Sequence, residues 1–431
     1  MGTKVRHCGA AAVFFFIACL GYASAGAQPS SSFTAPPALA GLIEEGLAQN
    51  GEIQSLLTQA ESFRAEVPFA GSLDDPRLGV GALNVPTDSF SFSQEPMTQK
   101  QIFVAQRFPW FGKLDLRTQR AVLKAVRQEA LVEAKRLELG RKIADAYYDL
   151  GFANRSLEVN YRLQEVVRQL LQFAETRYAT GRGLQQDVLQ AQVELSKLLD
   201  EKISLEKTHR TLEDRINELL NRESFAAVNP DEVPESMDLR LSVEQLQERA
   251  LAQNPWLGVR QAEIDSAKVD IELARKDYWP DLDVMLAYGQ RDEDRSGRDL
   301  PDFVSGTVVV NIPLWQNSRQ DSKLAAAGKS HDAAIKSYRN LAQSIPYRVD
   351  ALVTEIRNLR ENHRLFADAL VFQADQWAKS SQAAYETGAV EFNTMLNARI
   401  RYLRFELQTQ NYLYQVNRKI AELEEVLGGK M

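Results

Sequence analysis

The chain has 431 residues, of which 51 are basic and 58 acidic, for a net charge of −7. No basic tract stands out, so the charge pattern offers nothing to a nucleic-acid partner, and the length allows one large domain or two to three ordinary ones. Beyond the N-terminus no run of about 20 apolar residues could form a membrane helix, although barrel strands would leave a much weaker trace.

Residues 1–27 read as a secretory signal. Lys4, Arg6 and His7 form a positive n-region, Ala10 to Leu20 an apolar stretch too short to span a bilayer, and Ala23-Ser-Ala25 and Ala25-Gly-Ala27 are small-x-small cleavage sites. Its removal takes two positive charges and no acid, moving the net charge from −7 to −9. Both cysteines, Cys8 and Cys19, lie inside it. Cleavage after Ala25 or Ala27 would leave no disulfide and no thiolate metal site. The alternative is lipidation at Cys19, which Phe16-Ile-Ala18 precedes.

Residues 28–37 are polar, with Ser and Pro. A short amphipathic helix is predicted over Leu39 to Glu66, interrupted near Asn50-Gly51. About 40 residues without helical rhythm follow. They hold strand candidates at 77–85 and 98–108 around a polar loop, Pro86 to Pro96. At Phe108-Pro-Trp-Phe-Gly-Lys113 the pattern changes to helical spacing, with no proline as far as Tyr178. Leu163, Val167, Leu170 and Ala174 step by 4, 3 and 4 residues. After the turn Tyr178-Ala-Thr180-Gly181-Arg-Gly183, Leu184, Val188, Ala191, Leu195 and Leu198 resume the same rhythm. This predicts an antiparallel hairpin of long helices, 113–178 and 184–222. At 1.5 Å per residue the first would be about 100 Å long.

Residues 223–240, with Pro230, Pro234 and several acids, read as a linker, after which the plan restarts. Leu-Ala-Gln-Asn at 47–50 recurs at 251–254, Pro109 at the strand-to-helix corner recurs as Pro313, and Tyr-x-Thr-Gly at 178–181 recurs at 385–388. Three landmarks in near-constant register mark an internal duplication, 28–222 and 241–431. In the second copy strands are expected at about 279–289 and 303–312, separated by a charged loop, Gln290 to Pro301. Long helices are expected at about 319–385 and 391–427. Leu370, Ala374, Trp377, Ser381 and Ala384 form the seam of the first of these, which Pro346 should kink; Leu396, Ile400, Leu403 and Leu407 form the seam of the second.

The expected fold is therefore mainly α with a small β part, each unit a helix, two strands and a long helical hairpin. Two hairpins of strands leave open edges. A bilayer does not tolerate such edges, and four strands cannot close a barrel alone, so an oligomer is required. The signal, the duplication, the strand pairs, the helices and the tip Gly181-x-x-x-x-x-Asp187-Val-Leu-x-Ala-Gln192 resemble the TolC-like outer-membrane efflux proteins, over essentially the whole mature chain. Gln106-Arg-Phe-Pro-Trp-Phe-Gly-Lys-Leu114 is similar to the corner of the branch that serves metal-type RND pumps. The resemblance implies a homotrimer in the outer membrane of a Gram-negative bacterium. In it a 12-stranded β-barrel embedded in outer-membrane lipid continues into a periplasmic α-helical barrel. The tips would meet a periplasmic adaptor (membrane fusion) protein, which links to an inner-membrane RND or ABC pump. The protein would be a passive duct for exported small molecules or metal ions, not an enzyme, with no cofactor. On the same fold it could instead be the outlet of a type I protein secretion system. A periplasmic coiled-coil adaptor is the reading furthest from the pattern, since adaptors carry one hairpin and no tandem duplication.

The tip residues Tyr178, Thr180, Gly181, Gly183, Tyr385, Thr387 and Gly388 are the expected adaptor contacts, the glycines also supplying positive-φ turns. Asp187 has two readings. In the first turn of its helix it complements the helix dipole; by the resemblance it pairs with Tyr385 in a periplasmic gate. Positions where relatives carry an acidic ring are Thr394 and Asn397 here, and a basic residue common after the tip is Val390, so cation selectivity at the pore mouth is in doubt. Trp110, Phe111, Trp279 and Trp315 flank the strands, either as core residues or as rings at the membrane interface. His209, His331 and His363 lack ligand spacing. No phosphate loop, nucleophile elbow or Ser/His/Asp set is present.

Overall fold

The computed structural model describes residues 36–224, 226–228, 230 and 241–430. The expected signal peptide, Cys8 and Cys19, and most of the expected linker lie outside them. The described chain repeats one element order. Helices α1 (Pro37–Gln49) and α2 (Gly51–Gly71) lead to strands β1 (Arg77–Leu83) and β2 (Gln99–Phe108), then to helices α3 (Lys113–Ala179) and α4 (Gln185–Leu220). The second half runs α5 (Val243–Gln253), α6 (Pro255–Lys276), β3 (Leu282–Gln290), β4 (Phe303–Val310), α7 (Gln320–Leu365), a π-turn (Phe366–Leu370), α8 (Val371–Glu386) and α9 (Phe392–Leu427). The break expected at Asn50-Gly51 divides α1 from α2. The first strand of each copy is shorter than expected, because Trp279 and Pro280 belong to the turn that precedes β3 and residues 84–85 to the loop after β1.

The repeated Leu-Ala-Gln-Asn motif performs the same two tasks in both halves. Asn50 Oδ1 caps α2 by accepting from the Glu52 and Ile53 backbone N–H groups at 3.0 and 3.2 Å, while its Nδ2 donates to the Leu219 carbonyl at 2.9 Å. Asn254 Oδ1 accepts from Trp256 N–H at 3.0 Å and its Nδ2 donates to the Val426 carbonyl at 2.9 Å. One amide thus starts a short helix and ties it to the end of the returning long one. Asn254→Ala removes a cap worth about 1 kcal/mol and strips a buried carbonyl of its donor, at about 1–3 kcal/mol. A loss of about 2–4 kcal/mol is expected in denaturant unfolding followed by helical circular dichroism. Asn254→Asp keeps the acceptor and should recover the cap portion alone.

All four strands form one antiparallel meander, β1-β2-β3-β4, with the two hairpins joined through the β2–β3 pair, Lys100↔Gln290 to Phe108↔Leu282. Among the described residues the outer edges of β1 and β4 have no partner strand. By register one face carries Leu78, Val80, Ile102, Val104, Leu286, Tyr288, Val304 and Val308, all exposed. The other mixes small and polar residues, such as Gln101, Ala105, Asp283, Ser305 and Thr307, with Phe103, Met285, Phe303 and Val309. An aqueous sheet would bury its apolar face; this one leaves it bare.

Helix α7 runs through Pro346, and a π-turn follows at Phe366–Leu370. One expectation about this helix is corrected: its seam shifts. Ile345, Val349, Leu352, Ile356 and Leu359 are buried at steps of 4, 3, 4 and 3, which continued would reach 373, 377, 380 and 384. The π-turn takes up one extra residue, so the buried positions become Ala374, Ala378, Ser381 and Tyr385. Trp377 and Ala384, expected in the seam, fall beside it. In the first hairpin Leu163, Val167, Ala174, Ala191 and Leu198 are buried as expected, whereas Leu184, before the first turn of α4, is exposed.

Candidate functional site

The helices bring both tips of the chain to one end. Each hairpin turn holds a glycine in the left-handed region, Gly181 at φ 72° and Gly388 at φ 79°. Gly183 does not share that conformation, contrary to expectation. A Cβ there would lie 2.9 Å from the Arg177 Cβ, so close approach of the turn to the end of α3 excludes a side chain. Thr180 and Thr387 donate their hydroxyls back to carbonyls of the preceding helical turn, closing each helix end.

The repeated tyrosines sit in opposite environments: Tyr178 is 49% exposed and Tyr385 is 5% exposed. The cause lies in the helix phase. α3 runs without a π-turn and leaves Tyr178 outside its seam, whereas the extra residue at 366–370 turns Tyr385 inward. There its hydroxyl donates to Asp187 Oδ2 at 3.2 Å, and its ring meets Phe173 and Phe392 edge-on, at 5.9 and 5.6 Å between centroids. Burial first, and then the Asp187 charge, push the Tyr385 hydroxyl above the ordinary phenol range, so it stays a proton donor at neutral pH. Arg177 completes the contact. Its guanidinium lies 4.8 Å from the Tyr385 ring centroid and donates to the Tyr385 carbonyl at 3.0 Å and the Arg182 carbonyl at 3.2 Å. Sequence reading missed Arg177, although it continues the α3 seam after Ala174 and immediately precedes the repeated Tyr178.

Thr394 and Asn397 lie exposed on the first turns of α9, apart from this contact; Asn397 Nδ2 donates to Asn393 Oδ1 at 2.7 Å. Asp187 is therefore the carboxylate that the fold brings to Tyr385. Among the described residues no group of His, Cys, Asp or Glu has the arrangement of a metal site.

At the other end of the long helices, Pro109 and Pro313 stand in the corners after β2 and β4. The first corner is tied by Asp281, which accepts from Lys113 Nζ at 2.8 Å, Trp110 N–H at 2.9 Å and Arg107 Nη2 at 2.9 Å. Lys113 is buried and also faces Asp277 at 3.4 Å. Burial opposes ionisation of Asp281, but the hydrogen bonds from Lys113, the Trp110 backbone and Arg107 outweigh it and hold the carboxyl below the usual carboxylate range. Trp110 stacks on Trp279 at 5.0 Å with planes 9° apart. Phe111, Trp279 and Trp315 are exposed rather than core residues.

The profile of the family described as outer membrane efflux protein matches residues 42–222 and 246–429. A search of curated protein sequences finds no match. Among solved structures, the chain is similar to a membrane protein from Pseudomonas aeruginosa, with a TM-score of 0.77 at 17% identity, covering 92% of this chain and 95% of that one. It is similar to the outer membrane protein VceC of Vibrio cholerae, with a TM-score of 0.74 at 19% identity over 91% and 96%. The CmeC outer membrane channel of Campylobacter jejuni gives a TM-score of 0.73 at 13% identity over 98% and 94%. At these identities the likeness is one of fold.

Proposed function

The chain belongs to the outer membrane efflux protein family, and from that premise we propose that three copies close one passive duct running from the periplasm to the exterior. The observation that carries this is the four-stranded sheet with a bare apolar face and two unpaired edges. Lipid covers such a face, but unpaired backbone groups cannot remain in hydrocarbon, so β4 of one copy must meet β1 of the next. Two copies would give eight strands, a barrel whose interior side chains fill. Three give twelve, the smallest such assembly with an open passage. The longest strand, β2, covers Gln99–Phe108. Its length is about 30 Å at the strand rise, which a tilt near 40° reduces to about 23 Å, close to the height of an outer-membrane apolar band. Trp279, Trp315 and Phe111, exposed at the strand ends, suit the interfacial aromatic ring.

Below the membrane, α3 and the α7–α8 helix, each about 100 Å long, wall the periplasmic continuation. The repeats are 28–222 and 241–431, joined by 223–240 behind a signal at 1–27. The tip residues Tyr178, Thr180, Gly181, Gly183, Thr387 and Gly388 receive a periplasmic adaptor, through which an inner-membrane RND or ABC pump supplies the energy. The Tyr385–Asp187–Arg177 contact holds the tips closed, and the adaptor shifts the population by fitting the open tips better. Fractionation tests the assembly. The protein should come from the outer membrane and, in mild detergent, have the mass of three chains and resist heat. A soluble periplasmic monomer would overturn the reading.

A further inference from the structure

The two repeats carry the same tip in different rotational settings. α3 has no π-turn, so Tyr178, one residue past Arg177, faces out, whereas the π-turn sets Tyr385 in the seam. One residue of helix phase separates the two settings. The π-turn is closed by the Val371 N–H, which donates to the Phe366 carbonyl, and none of its five residues is buried. The Phe366 ring meets Phe405 and Tyr412 of α9 edge-on, at 5.4 and 5.3 Å between centroids, and so anchors the helix above the turn. Below that anchor the packing is open. A cavity of about 220 Å³ lies beside Ala367 and Val371, against Val159 of α3 and Thr409 of α9. A second, of about 240 Å³, lies beside Ala378, against Val166, Leu170 and Phe173 of α3 and Met395 of α9.

We propose that the π-turn is the switch of the gate: displaced along α8 into the tip loop, it turns that helix about its own axis, carries Trp377 into the cavity beside Ala378 and takes Tyr385 off Asp187. This rests on the duct and the lock proposed above and assigns how the lock is released. A π-turn passes along a helix by exchanging i→i+5 bonds for i→i+4 bonds one residue at a time, so the helix turns without unwinding. As it passes, each side chain takes the place now held by the residue after it. Tyr385 then takes the place of Glu386, which is exposed, and Ser380 takes the buried place of Ser381. Trp377, now 41% exposed, takes the place of Ala378 on the cavity wall. The released seam is the one that the steps from Ile345 to Leu359 extend to, at 373, 377, 380 and 384.

The two states exchange one kind of contact for another. The locked state holds the Tyr385 hydroxyl on Asp187 and leaves the cavity beside a methyl group. The released state gives up that bond and fills the cavity with an indole, which recovers packing that a void forfeits. A partner that fits the released tips better shifts the balance between them.

Labelling of the full chain in isolated membranes tests this, since no cysteine occurs after position 19. With a water-soluble maleimide, Ser380→Cys should react and Ser381→Cys should be protected in the otherwise wild-type chain. In the Tyr385→Phe background the two should exchange, Ser381→Cys reacting and Ser380→Cys becoming protected. Hairpins that part without turning would leave both reactive and overturn the switch. Deletion of Ala369 removes the extra residue but keeps Ala374, Ala378, Ser381 and Tyr385 in the seam, so no π-turn remains to be displaced. Combined with Tyr385→Phe, in an assembly with the mass of three chains, it should hold the resting conductance at the wild-type level. Trp377→Ala in the Tyr385→Phe background should lower the conductance, an effect foreign to a side chain that only faces solvent. Conductance as high with the deletion as in Tyr385→Phe alone overturns the switch and leaves the duct standing. No conductance from any of these proteins, each inserted as a three-chain assembly, overturns the duct and the switch together.

Discussion

Tyr385→Phe is expected to raise the resting conductance of the reconstituted duct by about a hundredfold. The substitution removes only the hydroxyl that donates to Asp187 at 3.2 Å and leaves the ring between Phe173 and Phe392. A part-exposed hydrogen bond of this kind contributes about 1 kcal/mol net. In the proposed assembly three copies acting on one closed state would lose about 3 kcal/mol, and a tenfold change in a two-state ratio corresponds to about 1.4 kcal/mol. Asp187→Ala should match it, and the double substitution should add little, because both remove the same bond. Arg177→Ala should open the tip further in either background, since the guanidinium holds the Tyr385 carbonyl and ring independently of the hydroxyl. Unchanged conductance and drug sensitivity in Tyr385→Phe, Asp187→Ala and their double would remove the lock from the mechanism.

The largest loss of stability is expected at the strand-to-helix corner. Asp281→Ala leaves the buried Lys113 ammonium without its closest carboxylate and frees the Trp110 N–H and the Arg107 guanidinium. Breaking one side of a buried ion pair costs about 3–5 kcal/mol, whereas replacing both sides with apolar groups costs much less. Lys113→Met in the Asp281→Leu background should therefore recover a large part of the loss, read as the temperature at which the native assembly dissociates. The pH dependence has a defined sign. Because the folded carboxyl of Asp281 titrates below its unfolded value of about 3.9, its contribution is fully present above that value and is lost as pH falls through the folded one. Wild type should lose stability below pH about 4 more steeply than Asp281→Ala.

Most of the architecture was legible because it is written in periodicity and in a repeat. The helical hairpins, the four strands and the two tips follow from residue spacing, and the Asp187–Tyr385 pair from a resemblance carried residue by residue. What was not legible depends on phase and on pairing. A heptad read along residues 345–385 has no means of signalling the one-residue skip at 366–370: Leu370, Trp377 and Ala384 keep the earlier phase and Ala374 and Ser381 the shifted one, yet together they still step by 4, 3, 4 and 3. The misplacement of Trp377 and Ala384 follows from that single residue. Arg177 was passed over because a cation at a helix end is ordinarily a solvated charge near the dipole; only the folded tips place it over the Tyr385 ring. The joining of β2 to β3 links segments about 180 residues apart, with nothing local to specify it. Gly183 was grouped with Gly181 by residue type, although its role is close approach rather than positive φ.

Single-channel recording of the purified protein across a planar bilayer tests the central claim most directly. A duct closed at rest by three tips predicts rare, discrete conductance steps from the wild type and frequent, long-lived ones of the same family from Tyr385→Phe. An absence of steps from both proteins, each inserted as a three-chain assembly, would contradict a conducting duct.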